Sequence, residues 1–580
     1  MTVALSPLFV GYQILNHSGL PNAGGFIYVY QAGTSTPATT YTDSSGTIAN
    51  TNPIQLDAAG YIPDQIWVDS GSSYKFVVES ATGTVLGTYD NIPGWSALNI
   101  GFSVSATSPA GTVARALVDR GICVTDAPFN ADPTGVADST AALQAAVNAA
   151  IAAKCRLYVS KGSYLVSGVI TASSPVWISG AGKYVTTIKT AQANASIFSF
   201  SGQSCELTDM TLQGPVAPTS GALITTSCIS EVLSRLRLSN YYYGIVGSGT
   251  TGDWNGVDLN VAATTSSVGA QINGYAGGLC IDKMIGFVPI VTPAAGIEVL
   301  SCGALQISNC NIIKQGTNLL LVPGSGQTVA SVMAVNTYFD SAQNFNVHIA
   351  PQAGGTVVRT YLTQCETSSS SGRGIVIDGS AGTVDGVCII SPQANLCASD
   401  GIYIIGTTAK NIDIVGGQCG QNGGSGISIV GSAQNVNVVG TRTGSGYGLT
   451  GNIEGIYIDS TCSGVKLTGV IAEGNSGAQI ADNANSNIIG CVGASDTTYS
   501  NFGNGLVMQS GVFTSSATAG AAVAVTFPKP YPNGVIAVLP AANSASSTTA
   551  AAWFDTPTTT GFNGHCSVAT TGVAYIAIGY

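Results

Sequence analysis

Short β-like runs return along this chain at intervals of about 22 to 29 residues, and that period restricts the chain to a repeating architecture. They begin at Ser196, Gly221, Gly244, Gly269, Gly296, Asn318, Asn346, Gly374, Gly401, Gly426, Gly455 and Gly477. GIVID from Gly374, GIYI from Gly401 and GIYID from Gly455 show the motif at its clearest. Each run is followed by another, as in VMAVNTYF, VVRTYLTQC, NIDIVGG and NVNVVGT. Alternation within them turns one side inward and one outward, as a half-buried strand requires. Gly, Asn and Ser separate the runs, where corners demand permissive backbone angles. Neither hairpin signals nor crossover helices appear, so the strands are satisfied by coiling the chain until each rung pairs with the next. Roughly twelve rungs stacked about 4.8 Å apart make a parallel β-helix near 55 Å long. Its open end needs a cover. STAALQAAVNAAIAA, from Ser139 to Ala153, supplies one: Leu143, Val147 and Ile151 share a helical face, and Asp138 or Ser139 is placed to cap it.

Composition agrees with repetitive β-structure and excludes other classes. Only 8% of the 580 residues are charged, yet 45% are hydrophobic, which is not the balance of a disordered chain. The net charge of −11, without a basic stripe, argues against nucleic acid as a partner. No run reaches the roughly 18 apolar residues that span a bilayer, so membrane insertion is not expected. The first residues lack the basic and apolar regions of a cleaved export signal. The 14 cysteines, among them Cys302, Cys310, Cys365, Cys388, Cys419, Cys462 and Cys491 in or beside β-like runs, read as buried free thiols made in a reducing cytoplasm. No spacing suits a metal site, and GSGTTG from Gly247 opens no helix, so neither metal nor nucleotide cofactor is expected.

Three segments carry a resemblance. Residues 8 to 93 include LPNAGGFIYVYQAGTSTPATTYTDSSGTIANTNPIQLDAAGYI and IWVDSGSSYKFVVESATGTVLGTYDNI. They resemble the small β-domain that anchors phage tailspikes to the virion. From Gly111, GTVARALVDRGICVTDAPFNADPTGVADSTAALQAAVNAA is similar to the entrance of pectate-lyase-like β-helices in such spikes, with Asp132-Pro-Thr-Gly and Asp138-Ser-Thr-Ala-Ala-Leu-Gln in place of a G-D-G and D-D-T-A-A-I-Q pattern. Residues 511 to 580, with AVAVTFPKPYPNGVIAVLP and AYIAIGY, resemble a C-terminal domain of tail fibres. The resemblance to the bacteriophage tailspike family implies an all-β chain: a right-handed parallel β-helix with small N- and C-terminal β domains, assembled as a homotrimer. The expected divisions are an anchor at 1–95, a neck at 96–122, the β-helix at 123–509 and a tail-fibre-like domain at 510–580. The implied partners are bacterial surface polysaccharide and, through the anchor, tail or baseplate proteins of the virion. The protein would be made in the host cytoplasm and reside in the virion tail. Catalytic residues differ between members of this family, so none transfers by motif.

Cleaving a glycosidic bond calls for two carboxyl groups. Aligning Val335 of VMAVNTYFD with Tyr361 of VVRTYLTQCE puts Asp340 and Glu366 at one position on adjacent rungs, which makes them the expected catalytic pair, with hydrolysis preferred to elimination. Arg373, in the turn that follows, would bind an acidic sugar or steady the pair. Asp253 and Asp258, in GDWNGVDLN, are the alternative pair because Trp254 adjoins them. Sugar binding wants aromatic faces, and Trp254 with the consecutive Tyr241, Tyr242 and Tyr243 would make a platform or a subunit contact. Asp400 with Glu454 is a weaker pair, Glu473 lies several rungs away, and Asp378 and Asp459 read as turn formers. His348 reads as structural. Two other functions compete with a depolymerase: a non-enzymatic receptor-binding fibre with a lectin-like groove, and a secreted polysaccharide lyase.

Overall fold

The structure, a computed structural model, describes residues 3–9, 11–94, 121–194, 196–262, 264–287, 292–484, 486–492, 499–501, 506–527, 530–531, 533–543, 551–569 and 572–580. It divides into two units, Met1–Ala116 and Leu117–Tyr580. In the first, Ile54–Gln55, Phe26–Gln31, Ser73–Glu79 and Val85–Pro93 form an antiparallel sheet in that order. Its alternate residues Ile27, Val29, Tyr74, Phe76 and Val78 are buried together. The expected neck lies outside the described residues, save Gly121 and Ile122.

In the second unit the repeat becomes a parallel β-helix with three sheets, its strands paired turn upon turn in one network. The first sheet stacks Ala295–Cys302, Thr317–Leu321, Phe345–Ile349, Arg373–Asp378, Ile402–Ile405, Ser425–Val430 and Glu454–Ile458. The second stacks Leu305–Ser308, Thr328–Val335, Thr356–Thr363, Thr383–Ile390, Ala409–Val415 and Gln434–Val439. The third is short: Asp258–Ala262, Ile285–Phe287, Asn311–Ile313 and Tyr338–Asp340, continued by bridges through Glu366, Gln393, Gln418 and Arg442. Period-2 alternation sends Ile375, Ile402, Ile427, Ile456 and Ile480 into one internal column and Ile377, Ile404, Ile429 and Ile458 into the next. Each such side chain contributes roughly 1.5–3 kcal/mol of burial.

Two devices shape the turns. Between the second and third sheets, Asp209, Arg235, Gly256, Lys283, Asn309, Asn336, Gln364, Ser391, Gly416, Gly440, Gly469 and Gly490 all take left-handed angles with φ of 49 to 66°. One left-handed residue per turn bends the chain sharply enough to start the third sheet. Asn is among the residues that tolerate such angles, and Asn336 also ties its turn to the preceding one, donating to Asn309 Oδ1 at 2.9 Å. The glycines that open the repeat do something else. A Cβ on Gly374 would stand 2.5 Å from the Gly401 carbonyl oxygen, and one on Gly401 2.7 Å from that of Gly426. Gly374 and Gly401 are glycines because successive turns approach too closely there for a side chain, not because of their angles.

The cap forms as Thr140–Ala153 and buries Leu143, Ala146, Val147 and Ala150, with Ile151 only partly covered. Asp138 Oδ1 accepts the Thr140 amide at 3.0 Å, while Ser139 Oγ accepts the Asp132 amide at 3.0 Å instead of capping. Hydrogen bonds hold both Asp132 and Asp138 at a pKa of about 2. At the other end, Val507–Thr514, Gly572–Gly579 and Val535–Asn543 build one antiparallel sheet, and Val523–Thr526, Gly561–Cys566 and Ala552–Asp555 another. Phe513, Phe527, Phe562 and Tyr575 pack between them. The first of these strands begins ahead of residue 510. All the cysteines are free thiols.

Candidate functional site

The aromatic platform expected around Trp254 is not on the surface. Trp254 and Tyr241 are 0% exposed, and Tyr242 and Tyr243 are half-buried and packed edge to face at 5.1 Å. Alternation decides this: in TGDWN the indole takes the inward position and Asp253 the outward one. Trp254 Nε1 donates to Glu231 Oε1 at 2.7 Å, and the hydroxyls of Tyr275 and Thr226 donate to the same carboxylate. Asp253 is exposed on the second sheet. Asp258, on the third, is paired with Lys183 at 2.7 Å. The alternative acids thus sit on different sheets and share no aromatic face.

Asp340 and Glu366 do share a face. After the left-handed Asn336, Phe339 points inward and Tyr338 and Asp340 outward. After the left-handed Gln364 one turn on, Thr367 is inward and Glu366 and Ser368 lie on the outer side. The register differs from the expected one by two residues. Val335 pairs with Thr363, not Tyr361, so Glu366 bridges to Tyr338 and Asp340 stands opposite Ser368. The two acids are therefore diagonal neighbours, about 8 Å apart between Cα atoms from one rung step and two residues of strand rise.

Their environments differ. Burial, the larger cause, and the Asp340 charge push the Glu366 carboxyl above its ordinary pKa, against a lowering hydrogen bond with Ser368. Asp340 Oδ2 accepts Ser341 Oγ at 3.1 Å, whereas its Oδ1 is buried with no hydrogen-bond partner among the described residues. A buried carboxylate oxygen without a donor is costly. Burial pushes the Cys397 thiol up to about 12, and the charges of Asp340, Glu366 and Asp400 add to that shift, so all three lie within electrostatic reach of this sulfur at the corner between the third and first sheets.

Arg373 stands at that corner but is already engaged. Its Nε donates to Asp400 Oδ2 at 2.8 Å and its guanidinium lies 3.9 Å from the centre of the Tyr403 ring. Asp400 Oδ1 takes the Ser425 amide and Ser428 Oγ, and Ser425 Oγ reaches Glu454 at 3.1 Å, so the weaker acid pair is tied into a hydrogen-bonded chain.

Other residues of this face were not singled out from the sequence. Tyr338 is 55% exposed in the row beside Glu366, and Ile285 and Phe287 continue an apolar surface over the preceding turns. Gln393 is half-buried on the following turn, whereas Asn395 and Gln418 are buried and engaged, Gln418 Nε2 donating to the Gly446 carbonyl at 3.0 Å and Asn395 Oδ1 accepting the Gly420 amide at 2.8 Å. Arg442 follows beside the 89% exposed Tyr447, its guanidinium 5.9 Å from that ring, and the row runs on through Ile471 and Val492. The alternation that aims Phe339 inward already assigns Tyr338 to the outside, so that signal was legible. The row itself exists only because successive turns stack.

Residues 123–237 match the family described as rhamnogalacturonase A/epimerase, pectate lyase-like, and residues 501–580 the family described as tail fiber protein gp53-like, C-terminal. No curated protein matches the chain by sequence. Among solved structures, the Dettilon tailspike protein is 11% identical over 82% of this chain and 97% of its own, with a TM-score of 0.50. Tailspike protein 3 of bacteriophage CBA120 is 14% identical over 77% of this chain and 74% of its own, with a TM-score of 0.48. The catalytic unit of the GH87 alpha-1,3-glucanase of Streptomyces thermodiastaticus is 15% identical over 83% and 88%, with a TM-score of 0.40. The chain is thus a parallel β-helix that shares its fold with a phage tailspike, pectate-lyase-like at 123–237 and tail-fibre-like at 501–580.

Proposed function

We propose that this chain is a phage tailspike whose third sheet binds bacterial surface polysaccharide and cleaves it by hydrolysis. The reading rests on one observation: Glu366 and Asp340 stand on the same outer face of adjacent turns, one with raised proton affinity and the other with a buried, unpaired oxygen. Glu366, still protonated where an ordinary carboxyl is ionised, is the general acid. It gives its proton to the glycosidic oxygen as the bond to the anomeric carbon breaks. Asp340 takes a proton from the water whose oxygen bonds to that carbon. Tyr338 offers a ring face to the sugar beside the acid, and the Gln393 amide binds a hydroxyl of a unit further along.

The N-terminal unit would attach the spike to the virion tail, and three copies would assemble through the second sheet, as argued below. The test is release of reducing ends from a panel of purified capsules and O-antigens, with ultraviolet absorbance followed for an unsaturated uronate. Cleavage without absorbance, reduced at least about 100-fold in both Glu366→Gln and Asp340→Asn, is expected. The rate should fall as pH rises through the elevated pKa of Glu366. Absorbance would indicate a lyase. Binding without cleavage would leave this face as a receptor site and sink the hydrolase reading.

A further inference from the structure

A second site lies on the C-terminal domain, away from the acids of the β-helix. Trp553 and His565 are cross-strand partners on Ala552–Asp555 and Gly561–Cys566. Their rings stack with centres 5.3 Å apart and planes 4° from parallel. The imidazole is gripped at both ends: Nδ1 lies 3.0 Å from the Gly520 carbonyl oxygen and Nε2 3.2 Å from Asp555 Oδ2. One face of the indole is thus held by a ring that cannot turn, and the side chain is nonetheless 42% exposed.

The alternation of this sheet shows which way the pair faces. Phe554, Phe562, Cys566 and Val525 turn into the core. Trp553, Asp555, Asn563 and His565 therefore share the opposite side, with Asn563 opposite both Asp555 and the exposed Ala524. A large ring, a carboxylate, an amide and a small residue that leaves room beside them make a platform open to one side. No buried core needs this arrangement, because the core lies behind the sheet. The chemistry also limits the ligand. Across residues 501–580, Asp555 is the sole acid and Lys529 the sole Lys or Arg. An anionic sugar would meet the Asp555 carboxylate, whereas a neutral pyranose can lay its C–H face on the indole and its hydroxyls on Asp555 and Asn563.

We infer that Trp553, Asp555 and Asn563 form a binding site for neutral sugar units, separate from the Asp340–Glu366 pair. It holds the polymer or a second surface glycan while the β-helix acts, so that two weak contacts on one chain add as avidity. The site does not depend on the hydrolase reading.

The test uses full-length Glu366→Gln protein, so that nothing is cut, on an array of neutral and uronate-bearing bacterial oligosaccharides. Binding to neutral members is expected, weakened about tenfold by Trp553→Ala and less by Trp553→Phe, which keeps a ring and guards against misfolding. Asp555→Asn should weaken it too while the stacked rings remain. Unchanged binding in Trp553→Ala would overturn the site, as would the absence of any neutral ligand. Loss of assembly in Trp553→Ala and Trp553→Phe would make the indole a contact between copies, and that also overturns it. Loss of cleavage in Asp340→Asn with array binding intact would leave this site standing whatever the fate of the hydrolase.

Discussion

At the residue scale, burying a carboxylate in the middle of a solenoid costs free energy unless donors surround it. Glu231 has three, from Thr226, Trp254 and Tyr275, yet desolvation still dominates and raises its pKa. A carboxyl whose folded pKa is raised contributes stability fully below its unfolded pKa, and that contribution is lost as pH rises through the folded one. Thermal unfolding of the wild type should therefore shift to lower temperature as pH climbs from mildly acidic to alkaline. Glu231→Gln should flatten that shift, because the amide still accepts from the indole and phenol and stays neutral. Glu231→Leu should destabilise at every pH, since each donor left buried and unpaired costs about 1–3 kcal/mol. Calorimetry across pH distinguishes the two, and a wild-type profile parallel to that of Glu231→Gln would refute the account. In ISEVLSRLRL the alternation runs through Glu231, but a strand that hides an acid cannot be told from one that presents it until Trp254 and Tyr275 arrive on the next turns.

Elements are where the repeat was most and least legible. The strands could be read from their alternation, and the third sheet's outward acids with them. Their register could not. A slip of two residues keeps every side chain on its face, so hydrophobicity alone does not choose between Val335 opposite Tyr361 and Val335 opposite Thr363. The left-handed corners at Asn336 and Gln364 choose, because each turn must bend at its own corner. Two kinds of glycine should then behave differently. At Gly401 an added methyl meets the carbonyl oxygens of Ala394 and Gly426 at 2.7 Å, so Gly401→Ala must push turns apart and should cost about 1–3 kcal/mol or more. At Gly440 the methyl has open space, and Gly440→Ala should cost only the left-handed backbone, about 1–2 kcal/mol, with Gly440→Asn milder still. Equal losses from Gly401→Ala and Gly440→Ala in thermal unfolding would disprove the packing role of the first.

For the whole molecule, the outer face of the second sheet poses a separate question. Register lines up Val335, Thr363, Ile390, Val415, Val439, Thr468 and Ile489 in one axial row. Val335, Ile390 and Val415 are each more than a third exposed, as are the neighbouring Met333 and Tyr361. An apolar row over seven turns, about 30 Å long, fits contact with further copies of this chain better than water. Light scattering should give the mass of three chains of 58.3 kDa. Ile390→Lys with Val415→Lys should yield monomers that keep their β-rich circular dichroism. A trimer that survives both lysines would place the interface elsewhere.

The sequence by itself determined the coil of about twelve turns, the inward and outward sets, the capping helix and the free thiols. Those follow from period, alternation and charge, which are local properties of the chain. Tertiary structure decided which residues meet. It brought Trp254 and Tyr275 onto Glu231, engaged Arg373 with Asp400, moved Asp340 from beside Glu366 to its diagonal and put Tyr338 in the row instead. Contacts across turns depend on where each corner falls and on how closely neighbouring turns approach, and neither quantity is written within a single repeat.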